Sequence, residues 1–153
     1  MVILKTPSEI KSMSEACKLS NAALWAAELY MKAGVSTKEI DHVIHKFIVQ
    51  AGAKPSFLGY GGFPASACIS LNDRVIHGIP SSREILKEGD VVSVDVGAYY
   101  NGFHGDNAYT FRVGEVSPEA DQLLRVTEES LTKGIAQAKA GNRIGDISNA
   151  IQT

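Results

Sequence analysis

The stretch DVVSVDVGAYYNGFHGDNAYTF, Asp90 to Phe111, constrains the fold more than any other part of the chain. Asn101-Gly102 is a two-residue hairpin turn by composition, because both positions tolerate a positive φ. With that turn at the tip, Tyr100 pairs with Phe103, and every later pair has residue numbers that sum to 203. Val92, Val94 and Val96 then face Phe111, Tyr109 and Asn107, a mostly apolar surface. The opposite surface pairs Ser93 with Thr110, Asp95 with Ala108 and Gly97 with Asp106. Two acids thus share one face as diagonal neighbours, about 7–8 Å apart at the backbone. The residues across from them are small. A carboxylate inside a valine-rich strand is costly to desolvate, so it calls for a partner or a cation. Converging acids suit divalent ions, two of which such a pair can bridge about 3.5–4 Å apart. A carboxyl pair sharing a proton, or an Asp bonded to backbone amides, fits the same pattern. A register slip of one residue would put the acids on opposite faces.

Helices flank this hairpin. Thr6-Pro7-Ser8-Glu9 is a capping box with proline in the first turn, and it predicts a helix reaching Gly34. Ser36-Thr37-Lys38-Glu39 is a second box. Behind it Ile40, Val43, Ile44, Phe47 and Ile48 recur at helical spacing up to Gly52. SACISL reads as a further strand. Ser117-Pro118-Glu119 opens a third helix through Leu123, Leu124, Leu131 and Ile135, ending near Gly141, and a fourth begins around Asp146. Residues 32–46 and 139–153 match at Lys, Ala, Gly and two Ile positions. The match predicts a helix–helix–strand repeat over residues 1–113 and the start of a second over 114–153, or else reflects a recurrent way of opening an amphipathic helix.

Composition removes several classes. The formal net charge of −2 gives no electrostatic case for nucleic acid or an anionic membrane as partner. No apolar run approaches the roughly 18 residues of a membrane span. The first residues lack the h-region and cleavage site of a signal peptide. Cys17 and Cys68 have no metal-type spacing, which suits a reduced, cytoplasmic protein. His77, in NDRVIHGIPSS, is expected at the end of a short strand, where it could meet substrate or move a proton. His42 and His45 read as a solvated helix face, and His104 as a turn residue on the same side as Asp106. Phe57, Leu58, Tyr60 and Phe63, interleaved with glycines, suit either an apolar pocket wall or a loop covering the core.

GFPASACISLNDRVIHGIP, followed by GDVVSVDVGAYYNGFHGD, resembles the type I methionine aminopeptidases, and the resemblance runs the length of the chain. It implies an α+β pita-bread fold of two pseudo-symmetric halves and removal of the initiator methionine from nascent polypeptides by two divalent metal ions (Co, Mn, Fe, Zn or Ni). Asp95 and Asp106 match the family's aspartate ligands and His77 its substrate-contacting, catalytic histidine. Phe57, Tyr60, Phe63 and Cys68 match positions around the methionine pocket, while Gly61 stands where relatives commonly have histidine. The family's remaining ligands, one His and two Glu, follow a GHGIG-type stretch with no counterpart here. The chain is therefore expected to be the N-terminal portion of such an enzyme, truncated, inactive by itself and weak or devoid in metal binding. The implied partners are peptides with N-terminal Met and ribosome-associated nascent chains, with self-association through the surface of the missing half. A non-catalytic half-fold assembly module, or another pita-bread hydrolase such as an X-Pro dipeptidase, is the alternative. The short region before the acid pair and the HGIP context argue against the dipeptidase.

Overall fold

The computed structural model describes residues 3–153. The chain forms two compact units, Met1–Glu115 and Val116–Thr153.

In the first unit, helix α1 spans Pro7–Ala26 and α2 spans Thr37–Gln50. Both start as their sequences direct: Glu9 accepts from the Thr6 amide at 2.7 Å, and Glu39 from the Ser36 amide at 2.8 Å. The first helix stops well before Gly34. Ala27 caps it, a 3₁₀ turn follows over Glu28–Tyr30, and Met31 turns into the core at φ −79°, ψ 67°. Burial of Met31 and Ala27 outweighs the helical propensity of the intervening residues.

The sheet has four strands: β1 (Lys54–Pro55), β2 (Ala67–Leu71), β3 (Val91–Tyr100) and β4 (Phe103–Arg112). All pair antiparallel to the central β3, with β4 along one side and β2 then β1 along the other. The hairpin has the expected register, from Val91–Arg112 to Tyr100–Phe103. Asn101 and Gly102 both take positive φ, 50° and 85°. Val92, Val94 and Val96 are fully buried, with Ile69, Phe111 and Ala67 beside them, against Leu24 of α1 and Ile40, Ile44 and Ile48 of α2. Each such valine contributes about 1.5–3 kcal/mol. One face of the sheet is thus spent on the helices, and strand alternation delivers Ser93, Asp95 and Gly97 to the other.

A buried acid ties β2 to α2. Asp41 Oδ1 accepts from the Ser66 and Ala67 amides at 2.8 and 3.2 Å, while Lys38 Nζ donates to Oδ2 at 2.8 Å. His45 Nδ1 shares a 2.8 Å hydrogen bond with the Ser66 hydroxyl. His42 is exposed as expected, but His45 is half-buried in this network rather than solvated.

The second unit is a helical pair, α3 (Pro118–Ala136) and α4 (Ile144–Gln152). Ser117 caps α3 through the Ala120 amide at 3.2 Å. The helix ends before Gly141, and α4 begins two residues before Asp146, which accepts from the Arg143 amide at 2.7 Å. Gly134 lets Ile151 of α4 pack close on α3.

Candidate active site

Asp95 and Asp106 lie on the sheet face away from the helices, diagonal to one another through the Gly97–Asp106 and Asp95–Ala108 pairs. Beside them Ser93 and Thr110 share a 2.8 Å hydrogen bond. Asp95 is half-buried and Asp106 exposed. Asp95 Oδ1 is buried and has no hydrogen-bond partner among the described residues. An orphaned carboxylate oxygen is rare in a folded interior, because it forfeits solvation without compensation. The electrostatics show the same frustration. The Asp95 pKa is pushed from 3.8 to about 6, first by burial, then by the charge of Asp106 and the proton the pair can share, with His77 pulling the other way. Cys68 pairs with Asp95 from β2. Burial, and then the two acids, push its thiol up to about 11, so it is neutral at pH 7.

The donor chemistry fits a divalent cation in part: two hard carboxylates, one with an unclaimed oxygen, suit such an ion. Among the described residues no group of three or more His, Cys, Asp or Glu is arranged to hold a metal. The acids therefore offer a partial ligand set.

His77 does not end a strand. It sits in an irregular segment with φ 58° and an exposed side chain. Its neighbour Gly78 makes the attachment, since the Gly78 carbonyl accepts from the Ile69 amide at 2.9 Å and its own amide donates to Ser70 Oγ at 3.0 Å. A Cβ there would stand 1.9 Å from the Ile69 carbonyl oxygen. This clamp fastens the segment to β2, the strand that pairs with β3 at Asp95. Val75, Ile76 and Ile79 around it are exposed by 84%, 64% and 54%, an apolar border the sequence reading did not single out.

The aromatic segment only partly converges. Phe57 and Phe63 are half-buried, and the Phe57 ring lies against Gly97, beside the acids. Tyr60 lies in a 3₁₀ turn, Tyr60–Gly62, and is 82% exposed. His104 belongs to β4 rather than to the turn, and its imidazole bonds Ser56. Its parity with Asp106 is legible in the sequence; nothing local in the sequence announces Ser56.

Comparison with known proteins finds relatives that match along the whole chain. The chain is 51% identical to methionine aminopeptidase 1 of Bacillus subtilis, over all of this chain and 61% of that protein. Its fold matches the solved methionine aminopeptidase from Rickettsia prowazekii with a TM-score of 0.96 at 36% identity, covering 99% of this chain and 61% of that one. The prolidase from Pyrococcus furiosus, 25% identical, superposes with a TM-score of 0.86 over 98% of this chain and 43% of that one. The chain thus spans about three-fifths of the length of its methionine aminopeptidase relatives. The architecture is that of the pita-bread fold, α+β with an antiparallel sheet. The model of metallopeptidase family M24 matches residues 11–153, and the chain belongs to that family.

Proposed function

We propose that the protein takes part in metal-dependent removal of N-terminal methionine from peptides, nascent chains among them, and that this chain carries the aspartate side of the site. The observation that carries the reading is the buried, unpartnered Asp95 Oδ1 beside Asp106 on an open sheet face. Asp95 and Asp106 would hold divalent metal, two ions in the complete site. Such ions supply Lewis-acid polarisation of the scissile carbonyl. His77 would contact the substrate peptide from the segment clamped by Gly78. Phe57, Phe63 and Cys68 would line the side-chain pocket, with Tyr60 at its rim. The neutral Cys68 thiol suits an apolar wall, because it adds bulk without charge. The repeat reading is supported by matching starts of α2 and α4, where an acid three residues on accepts from the cap amide in each. The two unpaired cysteines suit a reducing cytoplasm, and no helix among the described residues is long and apolar enough to cross a membrane.

The test is release of methionine from a Met-Ala-Ser peptide by a complete relative carrying this half in place of its own, with and without Mn²⁺, against X-Pro peptides. Metal-dependent methionine release is expected. Release from X-Pro peptides alone would overturn the reading in favour of a dipeptidase. His77→Ala is expected to lower turnover about tenfold, the loss of one hydrogen bond of about 1.4 kcal/mol, with metal affinity unchanged. Lost metal affinity would place His77 among the ligands instead.

A second reading has its own observation. Val75, Ile76 and Ile79, in the segment around His77, are exposed, and exposed apolar groups of this kind mark association sites. A second copy seated there would make the chain an assembly module. Light scattering at about 100 μM is expected to show a dimer or larger species, favoured by Mn²⁺; a monomer under both conditions overturns this reading.

A further inference from the structure

Three residues beside the acids, Ser56, Tyr99 and His104, have no part in the function proposed above. β4 places His104 on the face of Asp106, two residues nearer the hairpin tip. Its ring packs on Tyr99, directly across the register, with centroids 4.7 Å apart and planes at 46°. Its Nδ1 shares a 2.9 Å hydrogen bond with the Ser56 hydroxyl. The Ser56 amide donates to the Gly97 carbonyl at 2.9 Å, continuing the β1–β3 pairing by one residue. The next side chain is Phe57, and it meets the backbone of Gly97 so closely that a Cβ there would lie 2.6 Å from Phe57 Cε1 and 2.8 Å from Ser56 Cβ. Gly97 pairs with Asp106. A single thread of contacts therefore runs from His104 through Ser56 to the ring that stands next to the acids.

We propose that His104, through its hydrogen bond to Ser56, is a positioning residue that holds the Phe57 ring against Gly97 and so sets the depth of the apolar pocket beside Asp95 and Asp106. The pocket and its occupant, an unbranched methionine side chain, rest on the aminopeptidase reading; the placement of Phe57 does not. Beyond Phe57 the chain runs into glycines at 59, 61 and 62, which resist bending little, so the ring's position is decided at Ser56. Two hydrogen bonds converge on that residue, from its amide to the Gly97 carbonyl and between its hydroxyl and the imidazole. Only the imidazole comes from a side chain. A ring displaced by the width of a methylene changes side-chain discrimination by roughly 10- to 200-fold in the general case. Partial release of an exposed hydrogen bond should give less.

The test compares the whole chain with its His104→Ala, Ser56→Ala, His104→Gln and doubly substituted (His104→Ala, Ser56→Ala) variants. Aromatic NMR signals of Phe57, identified with Phe57→Leu, are recorded metal-free. Calorimetry with Mn²⁺ gives the affinity ratio of methioninol to leucinol. Both Ala variants are expected to shift the Phe57 signals alike and to lower the methioninol preference about fivefold. The double variant should go no further, and His104→Gln should return part of the way. Trp25 fluorescence reports folding from the opposite sheet face, and Ser56→Ala, which removes one hydroxyl, decides the matter if His104→Ala does not fold. Unchanged Phe57 signals in a folded variant overturn the proposal. Shifted signals with an unchanged ratio overturn the role in pocket depth. A wild-type chain that binds neither ligand overturns a pocket formed by this chain alone, while the NMR comparison still decides the positioning.

Discussion

Asp95→Asn is expected to make the metal-free chain more stable than wild type at pH 8 and to abolish its stabilisation by Mn²⁺. The folded state raises the Asp95 pKa from 3.8 to about 6, through burial and the charge of Asp106. A raised carboxyl favours the protonated fold. Wild-type stability is therefore full below about pH 4, falls as pH rises through about 6, and is level above. Asparagine cannot ionise and escapes that fall. A shift of this size on a fully buried group would be worth about 3 kcal/mol. Asp95 is half-buried, so solvent screening reduces the figure to roughly 1–2 kcal/mol. Metal reverses the sign, because a cation on Asp95 Oδ1 takes the role no donor among the described residues fills. Two carboxylates leave most of the coordination to water, so the dissociation constant should be weak, on the order of 10⁻⁴ M. At 10 mM Mn²⁺, near a hundred times that value, wild type should gain about 2.7 kcal/mol, and Asp95→Asn close to nothing. Chemical denaturation of both proteins at pH 4.5 and 8, with EDTA or Mn²⁺, measures each of these differences. Parallel pH profiles for the two proteins would show that Asp95 carries no electrostatic penalty.

The acid pair was legible because Asn101-Gly102 fixes the parity of the hairpin, and parity alone decides which face each residue joins. Valines at 92, 94 and 96 then leave Asp95 no choice of side. Helix starts were legible for a similar reason: capping is a contact between residues three apart, visible in the sequence. Helix ends were not. Gly34 and Gly141 look like C-caps, yet α1 stops at Ala26 so that Met31 can reach the core, and α3 stops at Ala136. Those decisions belong to packing between distant segments. The same holds for His45, drawn off the solvated face by Ser66, 21 residues on. Gly78 and Pro80 behind His77 suggest the end of a short strand. The structure instead anchors the segment by Gly78 against β2, a close approach that only the tertiary fold specifies.

Gly105→Ala is expected to cost at least about 3 kcal/mol, a large share of the stability of a domain this size. A Cβ at Gly105 would stand 2.2 Å from the Ala16 carbonyl oxygen, 2.3 Å from its carbon and 2.4 Å from the Cys17 amide nitrogen. All three are backbone atoms of α1, so no rotamer change relieves the clash, and helix and strand must separate. The separation reaches further than one contact. Two residues along the same face, Asn107 Nδ2 donates to the Cys17 carbonyl at 3.1 Å and also reaches Ser20 Oγ, a buried hydroxyl. Those groups cannot stay paired if α1 lifts, and unpaired buried polar groups cost about 1–3 kcal/mol each. Farther on, Trp25 packs on Tyr109 and Phe111 with ring centroids 5.0 and 5.6 Å apart. As the chain's single tryptophan, it reports the helix–sheet contact directly in a urea titration. Gly145→Ala is the control: nothing lies within 4 Å of a Cβ there, and it sits in α4, where alanine is favoured over glycine by up to about 1 kcal/mol. A Gly105→Ala chain within 1 kcal/mol of wild type would mean that α1 does not lie against β4 this closely. Because Asp106 adjoins Gly105, any chain that tolerates the alanine by tilting the hairpin should also bind Mn²⁺ more weakly, which separates a shifted sheet from a merely loosened helix.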